Sequence, residues 1–338
     1  MKILYIANAR MPTEKAHGYQ IMKMCEAFSK TEGVNVELVV PWRFNPIKED
    51  PFLYYQVEKK FTITKIPSLD FIAFGKIGFL LQTFSFAFFA SFYLLFLKHI
   101  SVIYSRDELP LFFLGFFKRN IFLEIHTKKE NFFAIRVLQN VRGIISITKG
   151  LKDFYTSNGI DEKNIFVAPD GVDVLQFNTE KNKTELRKYL NLPQNKKIIG
   201  YVGKYKTMAE PKGVDDLIVS FSEVLQSLPN TFLLLVGINK YEVEEVKKVF
   251  QSAGVGETDY KIVTHIPQRE AFLYMKTADV LVMNYPYKLH YALYMSPLKL
   301  FEYMASGVPI ITTDLPSVRE ILSEKNALIV KGENLSDL

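Results

Sequence analysis

The chain has 338 residues, of which 48% are hydrophobic and 23% charged, a balance that excludes a disordered chain and allows two domains, each with its own core. Its single cysteine, Cys25, rules out an internal disulfide framework, and a formal net charge of +6 suits a partner that carries phosphates. The sequence has no zinc-type Cys/His spacing, basic repeat or aromatic RNA-binding signature, so no nucleic-acid partner is expected, and a nucleotide or an anionic lipid remains.

In chain order, the opening MKILYIANAR has an apolar run that breaks at Asn8. That run is too short for the core of a secretion signal and reads as a first strand over Lys2–Ala7, consistent with a cytoplasmic protein. In the loop that follows, Gly18 opens a helix where the missing side chain would let backbone approach a ligand. Short β-branched runs at 34–40, 101–105, 120–125, 143–148 and 165–168 then alternate with helical stretches, the pattern of a parallel sheet with crossover helices. Within that series, Ile77–Leu97 holds 21 residues without a charge, long enough to span a bilayer. Gln82, Thr83, Ser85 and Ser91 interrupt it, and the α/β series around it must stay on one side of a membrane, so a helix of the first domain is expected. Two roles stay open for this helix. It packs against the sheet, or, with Leu111–Phe117, Lys118 and Arg119, it forms an apolar, basic surface resting on the inner face of a membrane.

A second series of runs, at 197–202, 231–237, 261–265, 279–283, 308–313 and 327–330, repeats the doubly wound pattern. The polar, turn-rich stretch between the series contains Pro169, Gly171 and Pro193, and Gly171 is expected to turn with positive φ. The domains are accordingly placed at 1–175 and 195–338. The last run is followed only by GENLSDL, and the chain reads as ending before the closing helices of such a domain.

Three stretches carry chemistry. In SPLKLFEYMASGVPIITTD, from Ser296 to Asp314, a serine and a proline make a good helix start: proline fits the first turn, and the hydroxyl can cap free amides. A helix mouth formed by Ser296, Pro297, Leu298 and Lys299 would attract phosphate, with Glu302 beside it, while Gly307 and Pro309 end the helix and launch the next strand. In IIGYVGKYKTMAEPKGVDDLI a strand runs into Gly203 and Lys204, and a helix opens after Lys212 and Gly213. Cations at such a strand-loop-helix mouth can neutralise a diphosphate, although each lysine alone would be a solvated surface charge. In FLEIHTKK, His126 ends a strand of the first series, where open α/β sheets bind ligands, and Arg106 in YSRDELP ends another.

On these stretches the sequence resembles the retaining glycosyltransferases of family 4, over nearly its whole length. That family has the GT-B fold, two doubly wound Rossmann-like domains facing across a cleft. The resemblance implies that Glu302 matches the second glutamate of the E-x7-E motif and binds the ribose hydroxyls of a donor nucleotide. The first glutamate falls on Tyr294, so the carboxylate that usually contacts the donor sugar is absent. Lys204 and Lys212 match the G-R…K-G pair, Gly18 the glycines after the first strand, and His126 the histidine near the reacting sugar. APDGVDVLQF matches the P-x-G-V-D…F stretch, with Asp173 at the hinge. The implied reaction moves a sugar from a nucleotide-diphosphate donor in the second domain to a glycan or lipid-linked acceptor in the first, in cell-surface polysaccharide synthesis. Lys204, Lys212 and His126 would act in catalysis, configuration would be retained, and no metal or cofactor is required. Two alternatives stand beside this: a nucleotide-sugar 2-epimerase of the same architecture, and an inactive nucleotide-binding scaffold, to which Tyr294 points.

Overall fold

The computed structural model describes residues 1–97, 99–114, 120–207 and 210–331, which fall into two compact units. The first comprises Met1–Ile147 and Leu151–Ala168; Thr148–Gly150 belongs to the second with everything from Pro169 on. The stretch PDGVDVLQF thus lies with the second unit. The expectations for Phe116, Phe117, Lys118, Arg119 and the C-terminal GENLSDL fall outside the described residues.

The first unit is a seven-stranded, all-parallel sheet. Its strands are β1 (Lys2–Ile6), β2 (Asn35–Pro41), β3 (Thr62–Ile66), β4 (Val102–Ser105), β5 (Ile121–Ile125), β6 (Gly143–Ser146) and β7 (Ile165–Val167), in the order β3-β2-β1-β4-β5-β6-β7. The crossovers include α1 (Ala16–Ser29), α2 (Pro51–Tyr55), α3 (Gly75–Phe96), α4 (Glu108–Leu114), α5 (Phe132–Leu138) and α6 (Lys149–Ser157). The central strands are covered on both faces and read as unbroken apolar runs, as parallel strands do. β3 is different: TITKI sits at the sheet edge and is largely half-exposed, so its alternating sequence was not among the expected runs.

The second unit repeats the plan with β8 (Lys197–Val202), β9 (Lys206–Thr207), β10 (Glu210–Pro211), β11 (Thr231–Ile238), β12 (Tyr260–Thr264), β13 (Val280–Met283), β14 (Ile310–Thr313) and β15 (Leu328–Val330). Six of these form a parallel sheet in the order β12-β11-β8-β13-β14-β15, while β9 and β10 pair as a short antiparallel hairpin. Its helices are α7 (Lys183–Tyr189), α8 (Val214–Ser227), α9 (Val243–Ser252), α10 (Gln268–Thr277), α11 (Leu289–Leu293), α12 (Leu298–Ser306) and α13 (Pro316–Arg319). Separate apolar cores, one around Ile198, Leu234 and Leu300 and one around Val214, Leu233 and Phe250, cover the sheet.

Strand order reverses beside β1 in the first unit and beside β8 in the second. Ligands of doubly wound sheets bind outside the carboxyl ends of the strands at such switch points. Asn8 and Arg106 follow the paired strands β1 and β4, and Gly203 and Asn284 follow the paired strands β8 and β13. Topology alone therefore singles out these strand ends as ligand-binding neighbourhoods.

Two local expectations are corrected. Gly171 does not take positive φ; that turn is built instead by Asp173, whose carboxylate accepts the Leu175 amide at 3.2 Å. Ser296 does not cap α12: Pro297 occupies the N-cap, and the serine hydroxyl accepts the Asp170 amide at 2.9 Å, spending its oxygen on a neighbouring loop. The far end of α12 is as expected, with Gly307 left-handed at φ 73°.

Candidate active site

In the second unit, the carboxyl ends of β8 and β13 gather most of the residues singled out above. The Tyr201 hydroxyl donates to the Lys204 carbonyl at 2.9 Å and folds the chain sharply after β8. The long loop from Lys204 to Lys212 is the β9–β10 hairpin, anchored by buried Tyr205, which donates to Asp215 at 2.6 Å. Lys212 then enters α8 through Gly213, which is left-handed at φ 78° and so close to β13 that a Cβ would lie 2.0 Å from the Asn284 carbonyl oxygen. Only glycine fits both conditions.

α12 brings in the rest. The Tyr303 hydroxyl accepts the Val202 amide at 2.8 Å, pinning the helix to β8. Lys299 points back along the same face, buried, with its ammonium 3.6 Å from the Tyr201 ring centroid and 5.3 Å from that of Tyr285. Lys212 lies 5.7 Å from the same Tyr285 ring. Lys204 remains exposed. Glu302 receives a hydrogen bond from Gln268 at 2.5 Å, one carboxylate oxygen being used. Of the helix mouth, Leu298 begins the helix proper and Pro297 is buried.

The electrostatics of this cluster are unbalanced. Burial, with Lys204 nearby, draws Lys212 down to about 8. Burial and the charge of Lys212 push Lys299 well below the usual lysine range, against an upward pull from Glu302. Glu302 is itself raised by burial, against the hydrogen bond from Gln268 and the charge of Lys299. Two buried polar atoms here lack a hydrogen-bond partner among the described residues: Lys299 Nζ and Asn284 Oδ1. Unsatisfied buried polar groups are costly and rare. Three lysines and one carboxylate, with two such atoms, suit an anion that also offers hydroxyls. A cavity of about 300 Å³ lined by Lys181, Lys183, Lys276 and the Ser306–Pro309 turn lies at the other end of α12 and includes none of these groups.

In the first unit, β4 and β5 bring Arg106 and His126 together. Arg106 Nη2 is 2.7 Å from His126 Nδ1, and both terminal guanidinium nitrogens donate to Gln20 at 3.1 Å. His126 Nε2 pairs with Glu124, whose other oxygen accepts the Tyr104 hydroxyl. Burial would raise Glu124, but the hydrogen bond from His126 and the charge of Arg106 outweigh it and hold the carboxylate down. With both ring nitrogens engaged, His126 is held in place. Gly18 lies a turn into α1, and a Cβ there would come within 2.3 Å of the Tyr55 hydroxyl and 2.5 Å of the Thr13 methyl. Packing beneath Tyr55 therefore requires a glycine at this position.

Sequence reasoning missed Asn284, Tyr201, Tyr285, Gln268 and Glu124. Two had a signal available: Asn284 ends the apolar strand VLVM, and Glu124 is an acid inside the apolar run IFLEI, a position where charge is found only when paired.

Residues 196–338 match the family model described as Glycosyl transferases group 1. Among curated relatives, the capsular polysaccharide biosynthesis glycosyltransferase CapM of Staphylococcus aureus is 32% identical over 129 residues, 37% of this chain and 30% of the relative. The alpha-monoglucosyldiacylglycerol synthase of Streptococcus pneumoniae is 24% identical over 287 residues, 78% of this chain and 62% of the relative. The chain thus spans less than two thirds of these relatives' lengths. The structure of Anabaena HepE in complex with UDP superposes with a TM-score of 0.69 at 16% identity, covering 100% of this chain and 87% of that one. Two doubly wound parallel-sheet units of this kind define a GT-B protein. The second unit, residues 196–338, is similar to the group 1 glycosyltransferases.

Proposed function

We propose that the chain is a retaining, family 4 glycosyltransferase that moves a sugar from a nucleoside-diphosphate donor to a glycan or lipid-linked acceptor at the cytoplasmic face of a membrane, in cell-surface polysaccharide or glycolipid synthesis. The observation that carries this reading is the buried, unpartnered Lys299 amine beside Lys212, Lys204 and the free Asn284 oxygen at the switch point of the second unit. Glu302 is assigned the ribose hydroxyls, which its second carboxylate oxygen can accept. Lys204, Lys212 and Lys299 are assigned the diphosphate, with the first-turn amides of Leu298 and Lys299. Ser296 serves as the loop anchor at this mouth, and Gly18 is kept as backbone packing.

In this reading the acceptor hydroxyl attacks the anomeric carbon on the face from which the nucleotide departs. The bond from that carbon to the phosphate oxygen breaks, its electron pair leaves with the nucleoside diphosphate, and the departing phosphate takes the acceptor's proton. Charge on the leaving group is then the main barrier, and fixed cations in a water-poor pocket lower it by several kcal/mol. Lysine ammonium groups fill that role, so the proposal uses no metal. His126, held by Arg106 and Glu124, is assigned to orienting the reacting sugar. The relatives' names, one in capsular polysaccharide synthesis and one a glucosyldiacylglycerol synthase, support the acceptor class.

Titration with UDP and GDP in the presence of a chelator is expected to show binding that Glu302→Ala weakens by on the order of 1.5–3 kcal/mol, the cost of one charge-assisted contact. Absence of binding by either nucleotide, or unchanged affinity in the variant, would overturn the site assignment.

A further inference from the structure

Helix α3 carries its polar groups on the inside. Its buried stripe, Gly78, Gln82, Phe86, Ala90 and Leu94, recurs every four residues. The polar side chains turn in with it. Gln82 donates to Asn8 at 2.8 Å, Tyr93 donates to Glu37 at 2.6 Å, and Ser85 accepts the Leu69 amide at 2.9 Å. The outward positions Ile77, Leu81, Phe84, Phe88, Phe92 and Phe96 are all large and apolar, and all exposed, Phe96 by 69%. A surface helix in water shows the reverse arrangement.

The apolar face continues beyond the helix. Phe84 meets Phe133 edge-on, Phe133 and Phe132 meet Phe112 of α4, and Phe132 is 69% exposed. A contiguous apolar surface of this kind marks an interaction site. Its acids are paired: Glu130, just before α5, is exposed but meets Lys128 at 3.1 Å, which leaves Lys76 and Arg136 to set the sign of the face. Residues 71–106 contain no Asp or Glu, and α5 carries only Arg136, which is exposed. The acid on α4, Glu108, is neutralised by Lys129 at 2.7 Å.

We propose that this face docks on an anionic bilayer, with α3 lying along the surface, its outward phenylalanines in the boundary between headgroups and acyl chains, and Lys76 and Arg136 against lipid phosphates. In purpose, though not in geometry, this rests on the proposed transfer to a membrane-bound acceptor. α3 is long enough to span, since 22 residues rise about 33 Å. Spanning would break its ties to Asn8 and to Glu37 of β2, each made on the inward side. Pairing with a second copy would bring like charges together, whereas anionic headgroups complement them.

The test is flotation of the full chain with phosphatidylcholine vesicles, with and without phosphatidylglycerol, at low and high salt and after alkaline carbonate. The wild type is expected to float with the anionic vesicles, less so in high salt, and to be released by carbonate. Phe88→Asp with Phe92→Asp should reduce partitioning about tenfold or more, the loss of two buried aromatic rings. Phe92→Ser and Lys76→Glu are milder variants that should each weaken it. Circular dichroism and UDP binding serve as controls for folding. Wild type that ignores anionic vesicles, variants that partition like wild type, or retention after carbonate would each overturn docking. So would a dimer that the same substitutions dissociate without any vesicle binding. Loss of UDP binding by all forms would instead refute the transfer reading, with the flotation result still deciding the surface.

Discussion

Lys212→Met is expected to weaken nucleoside-diphosphate binding by roughly tenfold to a hundredfold while making the ligand-free protein more stable. Lys212 is largely buried beside Lys299, and burial, with the charge of the exposed Lys204, draws it down to about 8 from its ordinary 10.5. Between those two values the unfolded chain binds a proton that the folded chain does not, so this group's contribution to stability increases as pH rises through that window. Below about pH 8 the folded state holds the charge at full cost, on the order of 3 kcal/mol at most. Methionine removes that cost and keeps the volume. A diphosphate reverses the balance by supplying the missing counter-charge, so affinity for UDP or GDP should fall as pH rises through about 8, and binding near pH 8.5 should take up a proton. Calorimetry in buffers of different ionisation enthalpy measures the uptake, and thermal melts at pH 7 measure the stability. A variant that binds normally, or melts lower than wild type without ligand, would contradict the role given to Lys212.

The second large effect is structural. Gly213→Ala should destabilise the second unit by about 3 kcal/mol or more and abolish nucleotide binding, because the new Cβ meets the Asn284 carbonyl oxygen at 2.0 Å in a backbone held at φ 78°. The contact cannot relax without moving β13 away from α8, which would separate Asn284 from the lysines. Gly307→Ala is the internal comparison: φ is 73° there too, but the Cβ meets open space, so only the conformational cost of about 1 kcal/mol is expected. Urea unfolding of the two variants separates clash from backbone strain. Equal losses would mean that the close approach at Gly213 does not matter.

Much of this architecture is legible in the residues. Unbroken apolar runs such as TFLLLVGI and KIIGYV announce buried parallel strands, and the repeated pattern announces two sheets. β3 was not legible, because an edge strand with one wet face has no reason to be apolar throughout. Of the site, the lysines and Glu302 stood out through their strand-loop-helix setting, and the structure gathers Lys212, Lys299 and Glu302. Tyr201 and Tyr285 could not be found that way, since aromatic residues at strand ends usually mean core. The Ser296 cap failed for a related reason: a serine before a proline offers a hydroxyl, but only tertiary contacts decide which amide receives it, and here Asp170 does. His126 is marked by its place at the end of β5; Glu124, two residues earlier, lies on the same side of that strand, and only Arg106, from the end of β4, is distant in the chain.

Sugar transfer with retention from a nucleotide donor is proposed despite Tyr294, where the motif this stretch resembles has a carboxylate. A site built around that carboxylate would strongly reject sugars lacking its hydroxyl partners; with tyrosine, other groups must meet the donor sugar. The most direct measurement is NMR analysis of products from a panel of UDP-, GDP- and dTDP-sugars incubated with glycan and lipid-linked acceptors. Nucleotide release is expected with at least one donor, dependent on acceptor, giving a glycoside with the donor's anomeric configuration. An inverted product would contradict the retaining reading, an epimerised sugar formed without acceptor would indicate an epimerase, and nucleotide binding with no turnover across the panel would indicate a scaffold.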